Sequence, residues 1–160
     1  MKFVVDSMLG KLARWLRILG YDTSYDAFAE DDTLLDTSVE EDRILLTRDG
    51  PLHERSPVNR SILIVHDHLD DQITQLAHSP GINLGRDTFT RCLECNDPIV
   101  PVSQENTKER IPEYIYQTQS RFFECPSCQR VYWRGTHLDR MSERLASIRD
   151  KVQRERVVTR

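Results

Sequence analysis

Four short segments with strand character constrain the fold of the first half of the chain most strongly. They are KFVV at residues 2–5, YDTSYD at 21–26, RILLT at 43–47 and SILIV at 61–65. Segments with helical spacing of apolar residues follow the first, second and fourth of them. Strands that alternate with helices typically build a parallel sheet covered by those helices. We therefore predict an α/β fold with a parallel sheet for this half.

Three helices are expected among these strands. The first covers residues 7–19 and stops at Gly20, the second begins at Asp31 or Asp32, and the third spans about 67–78. Gly50 is expected to break the chain after the third strand. Leu9, Leu12, Leu16 and Leu19 make a buried stripe on the first helix, and Leu69, Ile73 and Leu76 are expected to point inward on the third. The second helix carries Leu34, Leu35 and Val39.

A turn-rich stretch, SPGINLGRDT, interrupts the alternation and predicts a domain boundary. We expect one domain over residues 1–88 and a smaller one over 89–141. Residues 142–160 are expected to form a basic helix or a mobile tail. Charge follows the same division, because residues 1–90 carry 9 Lys and Arg against 16 Asp and Glu, whereas 121–160 carry 10 against 5. A basic end suits a nucleic acid, or it is an ordinary solvated helix.

Four cysteines stand in two closely spaced pairs, Cys92-x-x-Cys95 and Cys125-x-x-Cys128. Two such pairs supply four thiolates from two tight turns, which is the ligand set of a closed tetrahedral Zn²⁺ site. With sulfur at all four positions no place is left for water, so the zinc is expected to be structural. A small C-terminal zinc ribbon is therefore predicted, with a redox role as the weaker alternative.

Carboxylates follow the ends of the predicted strands. Asp6 ends the first strand, Asp49 follows the third by two residues, and Asp31 and Asp32 open the helix after the second. Parallel sheets bind ligands at the carboxyl ends of their strands. Converging carboxylates repel one another unless they share a cation, and Mg²⁺ or Mn²⁺ suits an all-oxygen site. Metal-assisted hydrolysis of a phosphodiester is the chemistry implied.

Each of these acids also has an ordinary structural interpretation. Asp49 before a glycine is a common turn residue, and Asp31 or Asp32 is a common helix cap. Asp6 is equally suited to cap the first helix. Their shared position at matching ends of elements is what favours a metal site over three unrelated local roles.

Cations near these acids predict contacts with phosphates. Lys11, Arg14 and Arg17 lie on the first helix beyond Asp6, and Arg48 precedes Asp49. Trp15 is expected in the core rather than against a base. Beyond the cysteines, Trp133 and Arg134 combine an aromatic and a cationic side chain, as single-strand binding surfaces do; the alternative is that the aromatic residue packs on the first domain.

The chain resembles the Mut-seven C-terminal ribonuclease family over about residues 3–141. The resemblance lies in FVVDSMLGKLARWLRILGYDT, EDDTLL, RILLTRDGPL, the two CxxC pairs and VYWRGTHLDRM. It implies a PIN-like nuclease fold joined to a zinc ribbon, and a divalent-metal-dependent ribonuclease acting on single-stranded or structured RNA. In that family pattern Asp6 and Asp49 match the first and third acids, Asp31 and Asp32 compete for the second, and Asp67 is a weak match to a fourth.

The sequence leaves rival functions open. A non-catalytic RNA-binding or adaptor protein would use the same fold, and a hydrolase of small phosphoesters would use the same acids. No apolar run approaches the roughly 18 residues of a membrane span, and MKFVVD reaches an acid at once, so no membrane partner and a cytoplasmic location are expected. A homo-oligomer or a protein partner is compatible with the sequence.

Overall fold

The structure, a computed structural model, describes residues 1–85 and 87–158. It divides into two compact units, Met1–Phe89 and a second that begins at Thr90.

The first unit is built on a four-stranded parallel sheet. Its strands are β1 (Lys2–Val5), β2 (Asp22–Tyr25), β3 (Ile44–Thr47) and β4 (Ser61–Leu63), in the order β2-β1-β3-β4. A 3-10 turn covers Ser7–Leu9. The α-helices are α1 (Gly10–Ile18), α2 (Asp31–Glu40), α3 (Gly50–Arg55) and α4 (Leu69–Ala77). The prediction of an α/β fold with a parallel sheet flanked by helices is confirmed.

The strand register brings the ends of the strands to one edge of the sheet. Val5 pairs with both Tyr25 and Leu46, and Thr47 pairs with Leu63. We call this edge, where β1–β4 end, the carboxyl edge, and the opposite one the amino edge. The segments that leave Val5, Tyr25, Thr47 and Leu63 therefore all start at the carboxyl edge.

The core forms where the predicted apolar stripes meet the sheet. Leu9, Leu12, Leu16 and Leu19 are all buried, as their spacing predicted, and Trp15 is buried with them. Leu34 packs with Val4, Leu45 and Leu52 in one cluster. Val39 of the same helix is exposed.

A short helix, α3, stands where a chain break was expected. Gly50 begins this helix rather than ending the segment, because the Asp49 carboxylate accepts the Leu52 N–H and Pro51 suits a first turn. Two other boundaries also differ from the prediction. β4 ends at Leu63, so Val65 lies outside it, and the next helix begins at Leu69.

Arg43 holds the amino edge together. Its guanidinium is buried and donates to the Phe3 carbonyl, to the Asp22 carboxylate (2.6 Å) and to Glu41 (2.6 Å). Burial alone lowers the pKa of Arg43, but the bonds to Asp22 and Glu41 outweigh it and raise the pKa. This edge is therefore anchored by a charged group that stays charged.

The second unit contains a three-stranded antiparallel sheet. Its strands are β5 (Val100–Val102), β6 (Phe122–Glu124) and β7 (Val131–Trp133), in that order. A short helix α5 (Glu113–Thr118) precedes β6, and a long helix α6 (Thr136–Val158) follows β7. The segment predicted as a basic helix or tail is thus helical to Val158, and residues 159 and 160 lie outside the described residues.

Among the helices of residues 1–85 and 87–158, none combines the length and the apolar character that a membrane span requires.

Gly20 provides a test of this fold. It ends α1 with φ +84°, and an added Cβ would lie 2.4 Å from the Asp87 carbonyl oxygen. We expect Gly20→Ala to lower the free energy of unfolding by about 2–4 kcal/mol, through backbone strain and overpacking. Chemical denaturation measures this loss.

Gly50→Ala is the matched control for that substitution. An added Cβ there meets no atom within 4 Å, and alanine favours the helix. The free energy of unfolding should be unchanged or higher by up to about 1 kcal/mol. Equal stability losses in both variants would contradict the described turn at Gly20.

Candidate functional site

Asp6 lies at the carboxyl edge directly after β1 and is 7% exposed. Its backbone N–H donates to the Leu46 carbonyl at 3.0 Å, which extends the sheet by one bond. Its carboxylate accepts the Thr47 hydroxyl at 2.7 Å and the Ser7 hydroxyl at 3.1 Å. Two hydroxyl donors make a nearly buried carboxylate tolerable and fix its orientation.

The Thr47 hydroxyl links Asp6 to Asp49. It donates to Asp6 and accepts the backbone N–H of Asp49 at 2.9 Å. Asp49 is exposed, and one of its carboxylate oxygens caps α3 through the Leu52 N–H at 2.8 Å. The structure therefore brings Asp6 and Asp49 to the same edge through one shared hydroxyl, and Asp49 also has the capping role that the sequence left open.

The two acids of α2 are held by an arginine. Asp31 and Asp32 are exposed in the first turn of α2, and both pair with Arg55 at the end of α3, Asp31 at 3.5 Å. Within residues 1–85 and 87–158, the cysteines are the group of three or more candidate ligands found within metal-binding distance. The predicted carboxylates thus supply a linked pair, Asp6 and Asp49, and a second pair that shares the single positive charge of Arg55.

The predicted phosphate-binding cations differ in their accessibility. Lys11 and Arg14 are exposed on α1. Arg17 is buried, and its Nε donates to the Thr23 carbonyl at 3.0 Å, so the expectation of a shared basic face was wrong for this residue. Arg48 pairs with Asp67, the weak match to a fourth acid.

Residues that the sequence reasoning missed are Thr47, Ser7 and Arg55. A threonine at the end of a strand and an arginine at the end of a short helix are common surface features. Nothing in their local sequence distinguishes them, and α3 itself was not expected. Only the pairing of β1 with β3 shows that the Thr47 hydroxyl reaches Asp6.

The four cysteines of the second unit meet in one cluster. Their sulfur atoms all lie within 4.8 Å of one another, and those of Cys92 and Cys128 are 3.7 Å apart. A tetrahedral site with Zn–S bonds of about 2.3 Å has sulfur atoms about 3.8 Å apart. The cysteines are free rather than disulfide-bonded, and the cluster can hold a zinc ion.

Both cysteine pairs lie in turns of the same construction. The Cys92 N–H donates to the Asp97 carbonyl and the Cys92 carbonyl accepts the Asn96 N–H; Cys125 makes the same two bonds with Arg130 and Gln129. Asn96 and Gln129 each follow the second cysteine and have positive φ values, 68° and 60°. Two equivalent turns thus present their sulfurs to a common centre.

Tyr132 supports the cluster from β7. Its hydroxyl lies 3.1 Å from the Cys92 sulfur and accepts the Leu93 N–H at 3.0 Å. Burial alone raises the pKa of Cys92, but hydrogen bonds from the Cys95 and Glu94 amides and from Tyr132 outweigh it and lower the pKa to about 7. Burial also raises the pKa of Tyr132, so its hydroxyl remains a donor to a thiolate.

Trp133 and Arg134 end the same strand. Trp133 is half-buried, whereas Arg134 is exposed and pairs with Asp139 at 3.7 Å. An exposed pair at this distance contributes little to stability.

The sequence of this chain matches the model of a protein family. The Mut7-C RNAse domain model matches residues 1–145 of the 160-residue chain. The chain belongs to this family. Searches of curated proteins and of solved structures gave no match. Membership indicates a ribonuclease-like function and RNA as the partner of this Mut7-C RNAse domain.

Thr47 gives a test of the link between Asp6 and Asp49. Thr47→Val keeps the shape of the side chain but removes its hydroxyl. The Asp6 carboxylate then loses one hydrogen-bond donor, and the Asp49 N–H loses its acceptor. We expect a loss of about 1–3 kcal/mol in the free energy of unfolding. Thr47→Ser keeps the hydroxyl and should lose less, so a valine variant more stable than the serine variant would contradict the described bonds.

Tyr132 gives a test of the cysteine cluster. We expect Tyr132→Phe to weaken Zn²⁺ binding by about 10- to 100-fold, since it removes a hydroxyl that contacts a ligand. Competition with a chromophoric chelator at neutral pH measures the affinity. Tyr114→Phe is the control, because Tyr114 is exposed in α5 of the same unit. Equal affinities in the two variants would show that the hydroxyl does not support the metal.

Proposed function

We propose that the chain is a divalent-metal-dependent ribonuclease whose active site lies at the carboxyl edge around Asp6 and Asp49. The observation that supports this most directly is the Thr47 hydroxyl, which links the Asp6 carboxylate to the backbone N–H of Asp49 at neighbouring strand ends, in a chain of the Mut7-C RNAse domain family. Mg²⁺ or Mn²⁺ fits the oxygen donors of this pair.

Asp6 and Asp49 would hold the ion in different ways. Asp6 is nearly buried and fixed by two hydroxyls, so it provides a rigid ligand. Asp49 is exposed at the start of α3, and its second carboxylate oxygen is not used in the cap. When bound, the ion would polarise the scissile phosphate and activate a water for attack.

Asp31 or Asp32 is proposed as the second acid of the site. Both pair with Arg55, so joining the ion requires one of them to exchange its arginine for the metal. The pairs are exposed, and exposed ion pairs are worth about 0–1 kcal/mol, so the exchange costs little. Arg55 thereby offsets part of the negative charge at the start of α2 until the ion binds.

RNA would be held by cations around this edge. Lys11 and Arg14 are exposed on α1 and are proposed to contact flanking phosphates. Arg48 would exchange Asp67 for a phosphate in the same way. The cysteine module would bind one structural Zn²⁺, and Trp133 and Arg134 would add RNA contacts. We also propose a cytoplasmic location and domain limits of 1–88 and 89–141.

One observation favours a second candidate, a non-catalytic RNA-binding protein. Asp67 pairs with Arg48, and Asp31 and Asp32 share Arg55, so these three acids are bonded to arginines rather than gathered with Asp6 and Asp49. A protein that binds RNA without cutting it needs no shared ion at this edge. Metal-dependent turnover separates the two candidates.

The charge of Asp49 provides the decisive variant. Asparagine keeps the cap of α3 but removes the charge, so Asp49→Asn should lower cleavage of a labelled single-stranded RNA by roughly 100-fold or more. Its thermal unfolding should match the wild type. Asp49→Ala should lose cleavage and also about 1 kcal/mol of stability, because the cap is gone.

Asp42→Asn is the matched control. Asp42 is an exposed acid of the amino edge, it pairs with Arg60, and its φ of 53° suits asparagine. This variant should cleave like the wild type. Cleavage by the wild type that persists in excess EDTA would refute metal dependence, and RNA binding without any cleavage in Mg²⁺ or Mn²⁺ would favour the non-catalytic candidate.

A further inference from the structure

Exposed apolar side chains surround the carboxyl edge. Met8 follows β1, Phe28 follows β2 and Val65 follows β4, and all three are exposed. Phe28 is the most extreme, with 92% of its surface accessible. An exposed phenylalanine leaves a large apolar face in water, and Met8 follows the strand next to that of Phe28, so these two side chains can form one apolar contact surface.

The loop that carries Phe28 has a defined turn. The Phe28 N–H donates to the Asp26 carboxylate at 2.9 Å, and the Ala29 N–H donates to the Asp26 carbonyl at 3.3 Å. An aspartate that bonds the backbone two residues ahead fixes a turn. The ring is therefore presented outward by a hydrogen-bonded turn.

This loop is tied to the same corner as Asp6. The hydroxyl of Tyr25, the last residue of β2, donates to the Ser7 carbonyl at 3.1 Å, and the Ser7 hydroxyl donates to Asp6. Tyr25 can lie this close because residue 10 is a glycine. A Cβ added at Gly10 would lie 2.6 Å from the Tyr25 hydroxyl oxygen. Hydrogen bonds thus connect the Phe28 loop to the first of the proposed metal ligands.

The charges near Phe28 decide which part of an RNA can bind there. Asp26 lies in the same turn, and Glu30, Asp31 and Asp32 follow it. Arg55 pairs with the last two and balances the charge of only one of them, so the loop keeps a net negative charge. Phosphates are repelled by such a loop, whereas the flat face of a base carries no net charge. A second copy of the chain would bring the same acidic loop against itself if the contact were symmetric.

Because the proposed function brings RNA to this edge, we propose that Phe28 stacks on an unpaired base next to the scissile phosphate and makes the site selective for single-stranded RNA. Stacking of a base on an aromatic ring needs no particular sequence. Bases inside a duplex have both faces covered by their neighbours. Duplex RNA therefore cannot use Phe28, and its binding should not depend on this side chain.

The test measures stacking without requiring cleavage. A short single-stranded RNA that contains 2-aminopurine is titrated into the full-length Asp49→Asn protein, with and without Phe28→Ala, and its fluorescence is recorded. We expect quenching that Phe28→Ala removes, with binding about 5- to 100-fold weaker. Phe28→Trp should restore both the quenching and the affinity.

Val58→Ala is the matched control. Val58 is 88% exposed in the loop before β4, at the amino edge, and its loss should change neither binding nor quenching. In parallel, cleavage of single-stranded RNA and of duplex RNA is measured with a Phe28→Ala variant that retains Asp49. This variant should lose activity on single-stranded RNA only.

The two failures are distinguishable. Unchanged binding and quenching in Phe28→Ala, with cleavage intact, overturns the stacking role while the nuclease stands. Quenching that depends on Phe28 in a protein that never cleaves supports the stacking role and removes the nuclease. A fall from dimer to monomer in Phe28→Ala, with quenching unchanged, makes this surface a protein interface and overturns the proposal.

Discussion

The hydroxyl of Thr47 is the interaction on which the account of this Mut7-C RNAse domain depends. It is fully buried, donates to Asp6 at 2.7 Å and accepts the Asp49 N–H at 2.9 Å. A carboxylate that is only 7% exposed is costly unless its oxygens are hydrogen-bonded. One side chain therefore both stabilises the buried acid and fixes where the chain leaves β3, which sets the position of Asp49.

The parallel sheet brings acids together, and arginines pair with three of them. Arg55 pairs with Asp31 and Asp32, and Arg48 pairs with Asp67. These pairs are exposed and weak, so they can be exchanged for an ion or a phosphate at small cost. Arg43 at the amino edge is different, because it is buried among strand carbonyls and carboxylates and holds the sheet. The same residue type thus serves structure at one edge and is available for function at the other.

The sequence predicted those features that depend on spacing along the chain. Apolar runs located β1 and β3, leucine spacing located α1, and two CxxC pairs located the cysteine cluster. Side-chain contacts between elements that lie apart in the sequence were not predictable. Arg17 lies one turn from Arg14, yet it turns inward to the Thr23 carbonyl because β2 packs there.

The helix after β3 shows a second limit of sequence reasoning. A glycine after an aspartate is typical of a turn, and six residues are few for a helix. The cap from Asp49 and the packing of Leu52 with Leu34 and Leu45 override that preference. Arg55 could not be placed opposite Asp31 without this helix. The capping and the metal-binding interpretations of Asp49 are also compatible, since the cap uses one oxygen only.

The proposed metal site is tested most directly by anomalous diffraction from crystals grown in Mn²⁺, recorded at the manganese edge. We expect a peak bonded to carboxylate oxygens of both Asp6 and Asp49, with Thr47 still bonded to Asp6. A map with no peak there, or with manganese bound to only one of these two acids, would contradict the proposed site.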